Sequence, residues 1–326
     1  MHVRFFVEKS EKCGILSPKE VQIMIDFQKI DLSQKDAYNE HLRSCGERGC
    51  EYSLVNLFIW GRQKAALLHG CLALFSQFER RSVYPFPVGD GDVAAVLDAI
   101  IHDARTRGLQ CRLTSMTAAD CATLEELYPG KFQFHPDRNI CDYVYNIEHL
   151  ATLPGRKYQR KRNHLNRFRQ NHPDCRMVTI DDALLPEVKA MVDQWYKNRS
   201  IDDPQADFQM EQVALRRAFE NWNALGLEGA VLMENGHILA MTAGSFLNET
   251  TFDVHFEKAR EDVDGAYAAI NQAFAAHLHE KYPDLRWLNR EDDLGLPGLR
   301  KAKLSYYPDH LVIKFWANLL EDDDEH

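Results

Sequence analysis

Residues 287–308 read WLNREDDLGLPGLRKAKLSYYP, and the rest of the chain is organised around them. A short apolar run, 285–288, is followed at once by Asn289, Arg290, Glu291, Asp292 and Asp293. Beyond a glycine-bearing segment come Arg300, Lys301, Lys303, Ser305, Tyr306 and Tyr307. Ions at the end of a buried strand need partners, because an unpaired buried charge costs on the order of several kcal/mol. Such a cluster is either a closed salt-bridge network or a binding site. Its companion is 155–169, GRKYQRKRNHLNRFR, where no acid interrupts Arg156, Lys157, Arg160, Lys161, Arg162, Arg167 and Arg169. The two stretches are expected to face one cavity.

The 326 residues are enough for two domains of about 100–200 residues each. With 45% hydrophobic and 27% charged residues the composition is that of a globular protein. No run of about 18 apolar residues occurs, and 1–13 lacks the apolar core of a secretion signal, so a cytoplasmic protein without integral membrane contact is expected. The eight cysteines and fourteen histidines show no metal-ligand spacing, so no metal is expected and the thiols read as reduced. The net charge of −10 argues against a general polyanion binder and makes the basic run at 156–169 stand out.

Along the chain, 1–21 read as an extension. Residues 22–32 alternate like a first strand, and Ser33 is a candidate cap for a helix through Arg43. The dense apolar stretch 51–60 contains Asn56. Two strands are expected over 65–88, an amphipathic helix after Asp92, a strand at 110–115, a helix capped by Thr117, and strands at 131–135 and 140–147. Pro154-Gly155 marks a boundary between a unit at 22–150 and one at 151–319, and 320–326 is an acidic tail. The second unit reads as basic helix, strand 175–180, helices at 182–198 and 208–224, then strands 227–234, 237–246 and 250–258. Asn235-Gly236 is a hairpin turn. A long helix from Gly265, a strand 285–290 and a last strand at about 310–316 follow. This order fits an α/β (α+β) fold with mixed, mostly antiparallel sheets and two tandem acyltransferase-like units of the GNAT type.

Lys157, Lys161 and His164 share a helix face by spacing, with Arg160 and Arg167 beside it. Arginine and lysine at this density suit phosphate; a solvated face balancing the acidic body is the plainer alternative. Tyr158 and Asn163 within the run favour a contact surface. His255 and Glu257 alternate on one strand face with Asp253, suited to a general base or to holding an ammonium group. The loop Lys258 to Ala266 carries three acids and one glycine, a poor cradle for a pyrophosphate at a helix N-terminus. No nucleophile–base–orienter row is evident, which favours direct transfer over an acyl-enzyme.

The sequence resembles a bacterial family of unassigned reaction related to the C-terminal catalytic part of phosphatidylglycerol lysyltransferases, itself similar to the Fem-type aminoacyltransferases. The resemblance covers nearly the whole chain after residue 22. It rests on EYSLVNLFIW (51–60), GRKYQRKRNHLNRF (155–168), VHFEKA (254–259), GAYAAINQAFA (265–275) and NREDDLGLPGLRKAKLSYYP (289–308). It implies a tandem GNAT-like fold and transfer of an aminoacyl group from the acceptor end of a tRNA to an amine or hydroxyl of a small-molecule or peptide acceptor, with no cofactor required. Two alternatives stay open: an acyl-coenzyme A dependent N-acyltransferase, and a non-catalytic phosphate-ligand-binding or regulatory protein on the same fold. The candidate catalytic residues are His255, Glu257, Glu291 and Asp292. Candidates for donor binding are Lys157, Tyr158, Lys161, Arg162, Asn163, Lys258, Asn289, Arg290, Arg300, Lys303 and Tyr306.

Overall fold

The computed structural model describes residues 24–43, 48–78, 81–202 and 208–320. The extension 1–21 and nearly all of the acidic tail lie outside them.

The described residues form two seven-stranded sheets and the helices packed on them. The first runs β1 (Gln28–Lys29), β2 (Gln63–Leu68), β3 (Cys71–Phe78), β4 (Arg81–Pro85), β5 (Arg112–Met116), β14 (Phe315–Leu319) and β6 (Phe132–Pro136). The second runs β8 (Arg176–Thr179), β9 (Glu228–Glu234), β10 (His237–Asn248), β11 (Thr251–Ala259), β12 (Trp287–Asn289), β7 (Asp142–Asn146) and β13 (His310–Val312). The two orders repeat one pattern. Each sheet has one parallel pair, β4 with β5 and β11 with β12, and all its other pairs are antiparallel. Each also takes its sixth strand from the other half of the chain: β14 enters the first sheet and β7 the second.

The helices are α1 (Lys35–Arg43), α2 (Leu54–Trp60), α3 (Val93–Thr106), α4 (Ala118–Leu127), α5 (Ile147–Thr152), α6 (Gln159–Asn171), α7 (Leu185–Asp202), α8 (Gln209–Glu220), α9 (Trp222–Leu225), α10 (Ala266–Lys281) and α11 (Pro297–Leu304). One face of the second sheet packs on α5, α6 and α10 through residues such as Ile147, Leu165 and Phe274. The other packs on α7 and α8 through Val188, Val192 and Leu215. Val55 and Ile59 of α2 join that second core, and Arg217 donates to the Ile59 carbonyl at 3.1 Å, so an early helix is built into the later unit.

Several expectations need correcting. Of the stretch 22–32, the described residues 24–32 contribute only Gln28–Lys29 as strand, which pairs at a sheet edge with two residues of β2. Asp31, not Ser33, caps the turn before α1: its carboxylate accepts from the Ser33 N–H at 2.9 Å. The region 65–88 holds three strands, since His69 and Gly70 turn the chain with positive φ (51° and 75°). The last strand divides at Ile313-Lys314, and its two parts enter different sheets. The helix after Asp92, the Thr117 cap and the Asn235-Gly236 hairpin stand as read.

A candidate active site in the wedge between two parallel strands

β11 and β12 pair only at Thr251–Trp287, Phe252–Leu288 and Asp253–Asn289. Past Asn289 the chain turns to β7: Arg290 N–H donates to the Tyr143 carbonyl at 2.9 Å, and Tyr143 N–H to the Glu291 carbonyl at 3.1 Å. β11 continues to Ala259, so a wedge opens between the strands. Asp253 and His255 face it from one side, but Glu257 does not share their face as alternation predicts: a β-bulge at His255, where Ala243 pairs with Phe256 and Gly244 with Val254, turns Glu257 towards α10. Arg290, Glu291 and Asp292 face it from the other.

The deepest layer is an ion cluster. Lys314 Nζ, almost fully buried, donates to Glu51 at 2.5 Å and to Asp142 at 2.6 Å. Asp142 also accepts from the Cys50 N–H at 2.7 Å and from Asn289 Nδ2 at 2.9 Å. Burial opposes charge on both groups, but their mutual attraction prevails. Asp142 is held below the usual carboxylate range and Lys314 above the usual ammonium range. Ligand atoms of Cys50, Glu51 and Asp142 converge within 4.8 Å, and the ammonium is the cation they hold.

Above it lies a hydrogen-bonded row. Ser245 Oγ is 2.8 Å from His255 Nε2, and His255 Nδ1 is 3.1 Å from Glu291 Oε1. Asn56 Nδ2 reaches the same Glu291 oxygen at 3.0 Å and the Cys50 carbonyl at 3.0 Å, while Asn56 Oδ1 accepts from the Trp60 indole at 3.2 Å. That indole fixes which way the amide faces. Glu291 adopts φ +56°, a left-handed conformation costly for a side chain with a Cβ, and its N–H is bonded to Asn289 Oδ1 at 2.7 Å. The row is one that sequence reading did not find. Ser245 and His255 are buried, however, with the His255 side chain 1% exposed. The row therefore holds Glu291, which is 19% exposed at its side chain and forms the reachable end.

Two carboxyls beside it are pushed upward. Asp253 is raised well above the carboxylate range by burial and then by the charges of Glu291 and Asp142. Asp292, raised to about 7 first by burial and then by the charges of Asp142 and Glu291, makes no hydrogen bond or ion pair through its carboxyl among the described residues. Lys303 is lowered by burial and donates to the backbone carbonyls of Arg290 and Asp292, tying the strained turn to α11.

At the mouth, Arg290 Nη2 donates to Glu257 Oε1 at 2.8 Å, and Asn271 Nδ2 donates to Glu257 Oε2 at 3.3 Å. The Arg290 guanidinium stacks on Tyr306, with its carbon 5.2 Å from the ring centre, and Lys161 Nζ lies 3.6 Å from the centre of that ring. Farther out, Asp293 is held well below the usual carboxylate range by hydrogen bonds from Arg300, at 2.7 and 2.8 Å, with Tyr143 helping.

The wedge thus gathers His255, Glu257, Glu291, Asp292, Lys161, Asn289, Arg290, Lys303 and Tyr306. Other candidates stand elsewhere. Lys258 points to the face of β11 opposite Glu257, where it pairs with Glu211 at 2.8 Å and lies over Trp195. Tyr158 is buried and donates to the Tyr306 carbonyl at 2.9 Å, a buttress for the aromatic wall. Arg162 donates to the Leu153 and Gly155 carbonyls, and Asn163 accepts from Gln159, so both stabilise α6 locally. Lys157 caps the rings of Tyr158 and Tyr307 beside an open groove of about 540 Å³ that Arg300 lines. Ser245, Lys314, Asp142 and Asn271 were missed. Only Lys314, a lone cation between Ile313 and Phe315, carries a local signal.

The acidic loop before α10 also differs from expectation. Its acids are paired: Arg260 with Asp262 at 2.6 Å, Arg199 with Glu261 at 2.7 Å, and Arg167 with Asp264 at 2.7 Å. What closes the start of α10 is packing. Gly265, at φ +85°, lies so close to α6 that a Cβ there would stand 2.8 Å from the His164 carbonyl oxygen.

A duplicated sheet with a charged wedge at its parallel pair defines the class: a GNAT-like transferase fold. The chain belongs to the family described as phosphatidylglycerol lysyltransferase, C-terminal, whose model matches residues 42–318. A conserved protein of unknown function from Bacteroides thetaiotaomicron VPI-5482 is 38% identical, with a TM-score of 0.85 over 91% of this chain and all of that one. The structure of L-PGS from Bacillus licheniformis shares the fold at 16% identity, TM-score 0.65, over 91% of this chain and 95% of that one. FemX does so at 10% identity, TM-score 0.58, over 89% and 96%. An uncharacterized protein of Mycoplasmoides gallisepticum is 25% identical over 185 residues, which are 55% of this chain and 56% of that protein. Among the described residues no helix is long and apolar enough to cross a membrane.

Proposed function

We propose that the protein transfers an aminoacyl group from a tRNA-borne ester to an amine or hydroxyl acceptor. The observation carrying this reading is Asp292, a half-buried carboxyl without a partner among the described residues, pushed up to about 7 beside Glu291. A general base works best with such a value. Of the four candidate catalytic residues, His255 is locked inside and Glu257 is neutralised by Arg290. Glu291 and Asp292 are left to meet substrate. In the direct reaction one of them takes the proton from the acceptor as its nitrogen or oxygen attacks the ester carbonyl. The terminal ribose hydroxyl then leaves and takes up the proton. Membership of the lysyltransferase C-terminal family supports the reaction class. Coenzyme A is the weaker donor, because α6 packs against the start of α10, where a pyrophosphate would seat.

The test is transfer of a labelled amino acid from mixed charged tRNA to amine and hydroxyl acceptors, alongside acetyl-coenzyme A. Asp292→Asn is expected to cut transfer roughly a hundredfold or more, the size of a lost general base, while binding of charged tRNA persists. Transfer from the coenzyme alone, or an undiminished rate in Asp292→Asn, overturns the proposal.

A further inference from the structure

The mouth of the wedge holds two cations and one carboxylate. Arg290 spends Nη2 on Glu257, but Nη1 is buried and has no hydrogen-bond partner. Lys161, half-buried on α6, rests its ammonium on the Tyr306 ring and forms no ion pair among the described residues. A guanidinium N–H shut away from water without an acceptor keeps its full desolvation penalty. Two like charges sharing one aromatic ring repel each other as well. From this geometry we infer that Arg290 Nη1 and Lys161 Nζ, on the Tyr306 face, form a subsite for one oxyanion group of a ligand, a phosphate or a carboxylate. Arginine supplies a fixed planar donor and lysine a mobile point charge, the pairing that suits a single tetrahedral or planar anion.

The groups facing the subsite decide its pH behaviour. Burial and the nearby Arg290 push Lys161 down to about 8, and Glu257 opposes that shift. Burial pushes the Tyr145 and Tyr306 hydroxyls well above the ordinary tyrosine range, so neither adds a charge here. An anion beside Lys161 restores its proton. Binding is therefore accompanied by proton uptake above pH 8, and affinity falls as the pH climbs past that value.

The identity of the full ligand rests on the reaction proposed above; the subsite chemistry does not. Calorimetric titration of the full chain with inorganic phosphate, pyrophosphate and acetate, from pH 6.5 to 9.5, tests it. Phosphate binding tighter than acetate assigns a phosphate, and the reverse a carboxylate. Lys161→Met, on a helix surface, is expected to weaken the preferred anion roughly tenfold, about one charge-assisted contact. Lys161→Arg is expected to keep affinity at pH 7 and lose the decline towards pH 9.5. Anion binding that Lys161→Met leaves unchanged, or no binding at millimolar anion, overturns the subsite. Loss of charged-tRNA binding alone, with anion binding intact in the wild type, overturns the donor and leaves the subsite standing.

Discussion

At the scale of single residues, Asp292 ties function to stability. Its carboxyl is neutral up to about pH 7 in the folded protein, against an ordinary value of 3.8. Between those values the folded chain holds a proton that the unfolded chain has released. The associated stability is therefore complete below about pH 4 and is lost as the pH rises to 7. Asp292→Asn should abolish this portion of the pH dependence and be more stable than the parent at pH 8, by about 1–2 kcal/mol once partial solvent screening is allowed for. Urea titrations at pH 5 and 8 measure it. Identical pH slopes for the two proteins would mean that Asp292 ionises freely. Asn56 shows the same economy of placement: one amide, oriented by Trp60, brings a helix of the first half to Glu291 of the second.

At the scale of elements, the contact between α6 and α10 sets how much space is left at the start of α10. α10 begins at a glycine whose positive φ and missing side chain let the His164 carbonyl approach. Gly265→Ala adds a left-handed backbone cost to a steric one, and a loss of roughly 1–3 kcal/mol is expected. Thermal melting would show it, and a melting temperature equal to the parent's would mean that the two helices are not held at this distance. The sequence announced both helices through periodicity and charge, and their approach was not legible, because it depends on residues about a hundred positions apart. The basic run likewise resolved into unlike roles. Lys161 faces the wedge, Arg162 is spent on backbone carbonyls, and Arg167 is paired with Asp264.

At the scale of the molecule, the exchange of β7 and β14 makes the two units interdependent, and the buried ion cluster sits at the crossing. Lys314 is the second of the two residues between β13 in one sheet and β14 in the other. It binds Asp142, the first residue of β7, and Glu51, just ahead of α2. Lys314→Met would leave the buried Asp142 and the part-buried Glu51 without their cation, and a loss of about 3–5 kcal/mol is expected. Because each sheet contains a strand of the other half, tryptophan fluorescence and circular dichroism should report one coincident unfolding transition. Two separate transitions would show that the halves fold on their own, along the boundary at residue 150.

The amino-acid sequence by itself determined the class of fold, most elements and the chemical character of the wedge. Alternation, periodicity, caps and the NREDD run are local properties that survive without neighbours. It also marked Glu291, Asp292, Arg290 and Lys161 through their density of charge. Only tertiary structure decided which of those charges are spent on one another: Glu257 on Arg290, Asp142 and Glu51 on Lys314, Asp293 on Arg300. It alone aligned Ser245 and His255 behind Glu291 and traded strands between the sheets. The reason is physical. A charge is free or paired according to what lies within a few ångströms of it, and in this chain those partners stand as many as 263 positions away.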